Sequence, residues 1–228
     1  PPRSTLFPYT TLFRSGVCSV AVRVRHHVNP LSNKYQGTVE PPDWSQIYTQ
    51  PHLPLHLDIG SAKGYFLNRM ARHCPNWNFL GVEIRQPLVD DCLRRRDAAQ
   101  QDNLHFIFCN ANTALKDVLT SLPAGRLRRV SIQFPDPWFK KRHQKRRVVQ
   151  PELVALLAET LPQGGEVVLQ SDVLEVAAAM VDCFAESPQF QRAGDRWLPE
   201  SPFSAQTERE ELTLGKGLPV YRAIFQRD

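Results

Sequence analysis

Short apolar runs alternate with amphipathic stretches along the chain from residue 55 to its end. Runs of this kind, rich in Val, Ile, Leu and Phe and bounded by polar residues, are typical of strands that are buried in a sheet. They predict six strands: Leu55–Ile59, Phe79–Val82, His105–Phe108, Val130–Phe134, Glu166–Leu169 and Val220–Phe225.

The amphipathic stretches predict five helices: Gly64–His73, Pro87–Ala99, Thr113–Leu122, Pro151–Leu161 and Val173–Glu186. In the last of them Val176, Met180 and Phe184 recur at helical spacing, which places them on one buried face. Pro87 and Pro151 suit the first turn of a helix, where the missing N–H leaves no bond unmade. The alternation predicts an α/β fold, a single doubly wound, Rossmann-like domain whose mostly parallel sheet carries helices on both faces.

The chain is expected to have three parts. Residues 55–228 contain the predicted domain, and no internal repeat or linker divides it. Residues 23–54 are rich in proline and polar residues and are expected to form an extended arm. Residues 1–22 are interpreted as a non-native leader, because Thr5–Ser15 resembles the in-frame translation of a DNA-sequencing adapter. A genuine disordered leader is the alternative.

Composition limits the class of protein. Of the 228 residues 42% are hydrophobic and 22% charged, which suits a packed core and excludes intrinsic disorder. No apolar run approaches the roughly 18 residues that a membrane-spanning helix needs. The five cysteines form no C-x-x-C pair and no zinc spacing, which favours free thiols in a reducing compartment. A cytoplasmic location and no bound metal are therefore expected.

Positive charge is concentrated in one short segment. The chain carries 28 Lys and Arg against 23 Asp and Glu, a net charge of +5. Residues 126–147 hold nine of these cations and one acid, Asp136, so this segment carries +8 and the remainder −3. A solvated helix face interleaves both signs, whereas a block of one sign favours a polyanionic partner. A basic surface loop without a partner is the alternative.

A glycine-containing loop follows the first predicted strand, at the edge where doubly wound sheets bind ligands. Its small residues Gly60, Ala62 and Gly64 let a ligand approach the backbone closely. A dinucleotide fingerprint would place glycine at positions 62 and 65, where this chain has Ala62 and Tyr65. Asp58, just before the loop, would repel a pyrophosphate but attract a cationic ligand.

Polar residues also end the next two predicted strands. Glu83 ends the second, where a carboxylate can accept both hydroxyls of a ribose. Asn110 ends the third, where an amide can donate to and accept from an adenine edge. Each residue alone is equally consistent with a solvated strand end. Together with Asp58 and the loop, they favour a ligand with adenine, ribose and positive charge but no pyrophosphate, and S-adenosyl-L-methionine fits this description.

The fourth predicted strand leads into a stiff turn in which a proline stands on each side of Asp136. The two prolines fix the backbone and hold the carboxylate at the end of the sheet. Trp138 follows, and a carboxylate beside an aromatic ring suits a nucleic-acid base that is bonded on its edge and stacked on its face. The cations of residues 140–147 would then contact flanking phosphates. A rigid turn with a buried tryptophan is the alternative.

These residues belong to longer strings. The chain contains DIGSAKG, GVEIR, FPDPWFKKRHQKRR, QSD and TERE, in this order. Together the strings resemble the bacterial tRNA (guanine-N7)-methyltransferase family, from about residue 24 to residue 228. The resemblance implies a class I methyltransferase fold that transfers the methyl group of S-adenosylmethionine to N7 of a guanine in the variable loop of tRNA, forming 7-methylguanosine.

The resemblance also implies roles for individual residues. Asp136 matches the position assigned to catalysis. The expected cofactor-binding residues are Asp58, Gly60, Gly64, Glu83 and Asn110. The expected substrate-binding residues are Lys140, Asp172, Thr207, Glu208, Arg209 and Glu210. Many members have glutamate at the position of Asp58 and aspartate at that of Asn110, and both replacements keep a hydrogen-bonding oxygen.

Without the resemblance, two of these assignments have simpler interpretations. Asp172, together with Ser171, suits the N-cap of the helix that follows it. Residues 207–210 suit a solvated surface loop before the last strand.

Two other functions stay open at this level. A methyltransferase acting on another RNA base or an exocyclic amine would keep the cofactor residues, although amine chemistry favours an Asn/Asp-Pro-Pro-aromatic motif and this chain has Pro-Asp-Pro-Trp. A non-catalytic RNA-binding relict of the fold would keep the basic segment and tolerate loss of the strand-end acids. The expected partner is tRNA, with no DNA and no membrane, and the expected state is a monomer or a homodimer.

Overall fold

The structure, a computed structural model, describes residues 28–228. The leader predicted over residues 1–22 and the first part of the predicted arm, residues 23–27, lie outside this range. The described residues form one sheet of seven strands: β1 (Leu55–Ile59), β2 (Asn78–Glu83), β3 (Leu104–Phe108), β4 (Leu127–Gln133), β5 (Glu166–Ser171), β6 (Phe190–Arg192) and β7 (Tyr221–Arg227). The strand order is β3-β2-β1-β4-β5-β7-β6. Strands β1 to β5 are parallel, and β7 is antiparallel to both of its neighbours.

The α-helices of this range are α1 (Trp44–Ile47), α2 (Tyr65–His73), α3 (Gln86–Ala98), α4 (Leu115–Thr120), α5 (Pro151–Thr160), α6 (Leu174–Ala185) and α7 (Glu208–Leu214). Two short 3-10 helices cover Asn33–Tyr35 and Lys141–Arg146. Pro87 and Pro151 lie in the first turns of α3 and α5, as the sequence predicts. Between residues 28 and 228 no helix has both the length and the apolar character needed to cross a membrane.

The predicted α/β fold with a mostly parallel sheet is confirmed. All six predicted strands and all five predicted helices occur, with ends that differ by at most three residues. Three elements were missed: α1, β6 and α7. With four and three residues, α1 and β6 are too short to show a periodic pattern. The expectation of a surface loop over residues 207–210 is wrong, because Thr207 caps α7 and the next three residues form its first turn.

Two packed clusters of side chains cover the two faces of the sheet. On one face α4, α5 and α6 cover alternate residues of the central strands, including Leu57, Val130 and Leu169. On the other face α2 and α3 pack against Phe79 and Phe106. Every residue of β1 and β2 is buried, as expected for central strands that are covered on both sides.

The described part of the predicted arm packs against this domain. Trp44 and Tyr48 belong to the core cluster that contains α4. The Tyr48 hydroxyl donates to the carbonyl of Phe79 at 3.0 Å, and the indole N–H of Trp44 donates to Ser121 Oγ at 3.0 Å. These bonds hold the segment before β1 against the sheet.

Gly81 of β2 lies where β2, β3 and the loop before α2 pack closely, so a substitution there measures how tight this packing is. A Cβ atom at this position would lie 2.5 Å from the Phe106 ring and 2.8 Å from Ser61 Oγ. We expect Gly81→Ala to lower the free energy of unfolding by about 1–3 kcal/mol, because the ring or the strand must move. Denaturant unfolding followed by circular dichroism measures the change. Gly37→Ala is the control, since a Cβ there meets nothing within 4 Å. Equal stability of the two variants would contradict the packing described.

Candidate active site

Polar side chains collect where the carboxyl ends of the parallel strands meet. Asp58 of β1 lies opposite Ser131 of β4, Gln133 lies opposite Gln170 of β5, and Gln170 lies opposite Arg222 of β7. Side chains alternate between the two faces of a strand, and the neighbours of these residues in the chain belong to the cluster under α4, α5 and α6. The five polar residues therefore form a row on the opposite face, the one that α2 and α3 cover.

The loop after β1 takes a backbone path that favours glycine. Gly60 and Gly64 have φ angles of +84° and +67°, and Ala62 has +49°. The N–H of Ala62 donates to Glu83 Oε2 at 2.9 Å, which ties the loop to the end of β2. A Cβ at Gly64 would lie 2.6 Å from the Phe106 ring, so glycine is what lets α2 begin this close to β3.

Glu83 is buried at the end of β2 and is paired with Arg85. The backbone N–H of Arg85 and its Nε donate to Oε1 of Glu83 at 3.0 and 2.8 Å, and its Nη2 donates to Oε2 at 3.0 Å. Burial alone would lower the pKa of Arg85, but the bond to Glu83 and the charges of Glu83 and Asp136 raise it above its ordinary value. Asp136 is therefore within electrostatic range of this pair. Ribose hydroxyls that bind Glu83 would have to replace some of the Arg85 donors.

Asn110, after β3, holds the segment that precedes β1. Its Nδ2 donates to the carbonyls of Pro30 and Tyr35, both at 3.0 Å, and its Oδ1 accepts from the N–H of Asn112 at 3.2 Å. Both amide hydrogens are thus used inside the chain. In this arrangement Asn110 keeps only the second lone pair of Oδ1 for an adenine.

Asp58 lies inside β1 near its carboxyl end and is 4% exposed. Its Oδ1 accepts from Ser131 Oγ at 2.6 Å and from Gln133 Nε2 at 3.2 Å. Burial raises the pKa of Asp58 to about 6, and the two hydrogen bonds offset this only in part.

The surroundings of Asp58 fit a cationic ligand. Oε1 of Gln133 is buried and has no hydrogen-bond partner among residues 28–228. An ammonium group can donate to this oxygen and neutralise the carboxylate beside it. The pair therefore suits the amino-acid end of S-adenosylmethionine, while Glu83 is the carboxylate nearest the glycine loop.

The turn that carries Asp136 is strained and braced. Phe134 and Trp138, on either side of Pro-Asp-Pro, have φ angles of +48° and +42°, which bulky residues rarely adopt. The N–H of Phe134 donates to the carbonyl of Gln170 at 2.7 Å. Arg147 Nε donates to the carbonyl of Pro137 at 2.9 Å, and these bonds hold the turn at the end of the sheet.

The cations of residues 140–147 fall into two groups. Two of them serve the turn: Arg146 lies 4.9 Å from the centre of the Trp138 ring, and Arg147, 12% exposed, also forms an ion pair with Glu175 of α6 at 2.7 Å. The others are exposed: Lys140, Lys141, Arg142 and Lys145. Within residues 140–147, the exposed cations have no ion-pair partner among residues 28–228 and can present their charge to a large partner.

Asp172 and Glu210 connect α7 to the end of β5. Arg209 Nε donates to Asp172 Oδ2 at 2.8 Å. Glu210 is fully buried and accepts from Arg222 Nη2 at 2.6 Å and from Gln170 Nε2 at 3.0 Å. Two of the expected substrate-binding residues, Asp172 and Glu210, thus make their contacts inside the protein.

Asp172 does not cap α6, so that expectation is wrong. The N-cap residue is Val173, and its N–H donates to Ser171 Oγ at 3.1 Å rather than to the carboxylate of Asp172. The carboxylate of Asp172 instead points to α7, where Thr213 Oγ1 lies 3.4 Å away.

The N-terminus of α7 lies beside the glycine loop. Thr207 caps the helix, since its Oγ1 accepts from the N–H of Glu210 at 3.1 Å. The carboxylate of Glu208 lies 3.9 Å from Lys63 Nζ, in the loop after β1. The structure therefore brings Thr207 and Glu208, which are remote in sequence, close to the glycine loop.

Sequence reasoning missed Arg85, Ser131 and Gln133. A signal existed for the last two, because they alternate with apolar residues in a strand that was predicted to be buried. A polar residue on a buried face must find a partner. Their partners, on β1, are visible only once the strands are paired.

The topology is that of the class I, Rossmann-like methyltransferase fold. The 16S rRNA methyltransferase KamB superposes with a TM-score of 0.57 at 15% identity, over 85% of this chain and 97% of that one. A 16S rRNA (adenine(1408)-N(1))-methyltransferase from Catenulisporales acidiphilia gives 0.54 at 14% identity, over 83% and 91%. At such low identity these likenesses establish the fold alone.

Sequence comparison identifies the family. A family model described as "Putative methyltransferase" matches residues 52–223. The tRNA (guanine-N(7)-)-methyltransferase of Synechococcus elongatus is 59% identical over 206 residues, 90% of this chain and 97% of the relative. That of Thermosynechococcus vestitus is 57% identical over 209 residues, 92% and 97%. The chain belongs to the tRNA (guanine-N7)-methyltransferase family, and its cofactor is S-adenosylmethionine.

The pKa of Asp58 predicts how its charge affects stability. With a folded-state pKa of about 6 against an ordinary 3.8, the folded protein binds this proton more tightly than the unfolded chain does. The stability that this group contributes is therefore complete below pH 3.8 and is lost as pH rises through 6. Asp58→Asn removes the charge and keeps an oxygen for Ser131 and Gln133. We expect it to raise the free energy of unfolding at about pH 7.5 by about 1–3 kcal/mol.

Denaturant unfolding at about pH 7.5 and pH 4.5 checks this, because the gain should shrink at the lower pH. His56, whose own titration also affects stability, is present in both proteins and cancels from the comparison. A gain of the same size at both pH values, or a loss at pH 7.5, would contradict the buried charge.

Proposed function

We propose that this protein transfers the methyl group of S-adenosylmethionine to N7 of a guanine in the variable loop of tRNA, forming 7-methylguanosine. The observation that supports the proposal is the braced turn with Asp136, which follows β4 at the sheet edge of the buried acids and precedes four exposed cations in the chain. Relatives at 57% and 59% identity are named for this activity. That name does not favour another RNA base or a non-catalytic relict.

Asp136 is proposed to orient the guanine. N7 of guanine carries a lone pair in the plane of the ring, so no proton has to leave before it attacks. S-adenosylmethionine supplies an electrophilic methyl group on a cationic sulfur. The main task of the protein is then to align N7 with that methyl group, and orientation of this kind contributes up to about 7–11 kcal/mol.

The carboxylate also suits the charge that develops during the reaction. It can accept from the N1–H and N2–H₂ edge of the guanine, which fixes the ring, and positive charge moves onto the purine as the methyl group arrives. A fixed negative charge is stabilising at that moment. In this mechanism Asp136 is an orienting and electrostatic residue, not a general base.

The exposed cations are proposed to bind tRNA. Lys140, Lys141, Arg142 and Lys145 follow the turn in the chain and can contact the phosphates that flank the target base. Thr207 and Glu208, at the N-terminus of α7 beside the glycine loop, are proposed to complete the substrate-binding surface. We further infer a cytoplasmic protein, monomeric or homodimeric, with neither DNA nor membrane as partner.

Asp136→Asn tests the orienting role. The variant keeps the shape of the side chain but removes its charge and one acceptor. We expect the single-turnover rate of 7-methylguanosine formation to fall by about 100-fold or more, with little change in affinity for S-adenosylhomocysteine. Nucleoside mass spectrometry of tRNA incubated with protein and cofactor measures the product. Asp182→Asn, on the exposed side of α6, is the control.

A native rate in Asp136→Asn would contradict the assignment. The rate of the native protein at saturating cofactor should be flat between about pH 6 and pH 9. A steep rise with pH would count against the orienting role and favour a general base.

The two groups of cations should respond differently to mutation. Lys140→Ala and Lys145→Ala are each expected to weaken tRNA binding and to reduce the slope of log affinity against log salt by about 1. Arg147→Gln should leave the salt slope unchanged and lower the methylation rate, because Arg147 braces the turn. Fluorescence anisotropy with labelled tRNA over a range of salt concentrations measures the slopes. An unchanged slope in both lysine variants would show that these two cations do not contact phosphate.

A further inference from the structure

A buried chain of hydrogen bonds leads from the middle of β1 to Asp58. His56 and Asp58 are two residues apart in the strand and share a face, and Ser131 lies opposite Asp58 in β4. Ser131 Oγ is 2.9 Å from His56 Nε2 and 2.6 Å from Asp58 Oδ1. His56, Ser131 and Asp58 are 1%, 0% and 4% exposed.

Aromatic rings separate His56 from water. Phe66, Phe79 and Phe203 have ring centres 6.0, 5.6 and 5.3 Å from the imidazole. Burial and, to a smaller extent, the charge of Arg129 lower the pKa of His56 to about 3. At neutral pH the ring is therefore uncharged and carries a single N–H.

Ser131 has a single hydroxyl proton, and this proton decides which groups donate and which accept in the series of hydrogen bonds. When Asp58 is ionised, it can only accept, so the hydroxyl of Ser131 donates to it. The oxygen of Ser131 is then an acceptor for His56, which must carry its hydrogen on Nε2. Among the described residues both hydrogen bonds to Asp58 reach Oδ1. Oδ2 is the oxygen that remains for a ligand.

We propose that His56 and Ser131 are positioning residues of the cofactor site. They fix the orientation of the Asp58 carboxylate, so that its Oδ2 can accept from the ammonium group of S-adenosylmethionine. The proposal rests on the cofactor-binding role proposed for Asp58. Neither residue touches the ligand, and His56 acts only through Ser131.

The other charged groups near the hydrogen-bonded series of His56, Ser131 and Asp58 lie on or beside the neighbouring strands. Glu83 of β2 raises the pKa of Asp58 further, and it is itself paired with Arg85. Arg129 of β4, near His56, is paired with Glu166 at 2.7 Å. The hydrogen bond from Ser131 lowers the pKa of Asp58, whereas burial and the charge of Glu83 raise it. Loss of the Ser131 hydroxyl should therefore raise this pKa, so that the carboxylate takes up a proton at a higher pH.

The first test needs no variant. Two-bond ¹⁵N–¹H correlations of the histidine rings report which nitrogen carries the hydrogen. In the native protein at about pH 7.5 we expect His56 to be neutral with its hydrogen on Nε2, and to stay neutral down to about pH 5. A hydrogen on Nδ1 overturns the proposal, because Nε2 would then take the serine hydroxyl away from Asp58. Titration near the ordinary histidine pKa overturns it as well.

The second test compares variants by calorimetric binding of S-adenosylhomocysteine between about pH 5 and pH 8. We expect Ser131→Ala to weaken binding about tenfold at pH 7.5, the effect of one hydrogen bond to a charged group, and to move the acid limb of the binding curve to higher pH. His56→Gln retains a donor and should bind more like the native protein than His56→Phe does. Ser121→Ala, which removes a hydroxyl under α4, is the control for a general loss of stability.

The outcomes separate this proposal from the function itself. Native binding with an unchanged pH dependence in Ser131→Ala overturns the positioning role and leaves the methyltransferase function standing. Failure of the native protein to bind S-adenosylhomocysteine overturns the cofactor site, whatever the tautomer of His56.

Discussion

Parallel pairing of β1 with β2 and β4 is the constraint on which the site depends. In a parallel sheet the carboxyl ends of the strands lie at one edge, so Asp58, Glu83 and the turn with Asp136 meet there although they are far apart in the chain. Register matters equally. A slip of one residue in β1 would turn Asp58 to the opposite face, into the apolar cluster under α4, α5 and α6.

Most polar groups at this edge bind one another. The buried pair of Glu210 and Arg222, completed by Gln170, anchors α7. Breaking such a pair leaves an uncompensated buried charge, which is far more costly than the pair is stabilising. The same logic applies to Arg85 with Glu83. Few polar atoms are left for ligands, and those few stand on a rigid frame, which is the arrangement that precise positioning of two substrates requires.

The buried carboxylates Asp58 and Glu83 and the exposed cations of residues 140–145 carry charges of opposite sign, and burial keeps the two groups apart. The buried carboxylates suit a cationic cofactor, whereas the exposed cations suit a polyanion. The turn with Asp136 follows β4 at the same sheet edge as the acids and precedes the exposed cations in the chain, and it is held by Arg147, which pairs with Glu175. The strained φ angles of Phe134 and Trp138 persist because proline, hydrogen bonds and stacking by Arg146 over-determine the conformation.

The sequence by itself determined the longer elements and the family. Periodicity is a local property, so most of the longer strands and helices were predicted, whereas the short α1 and β6 and the seven-residue α7 were not. The motif around Asp136 is likewise contiguous. Only the tertiary structure decided what each polar residue bonds to: Asn110 holds the carbonyls of Pro30 and Tyr35 instead of presenting its donors to an adenine, and Glu210 is buried against Arg222. A side chain's identity sets its capacity for hydrogen bonds, but its partners come from distant segments that meet only when the sheet is assembled.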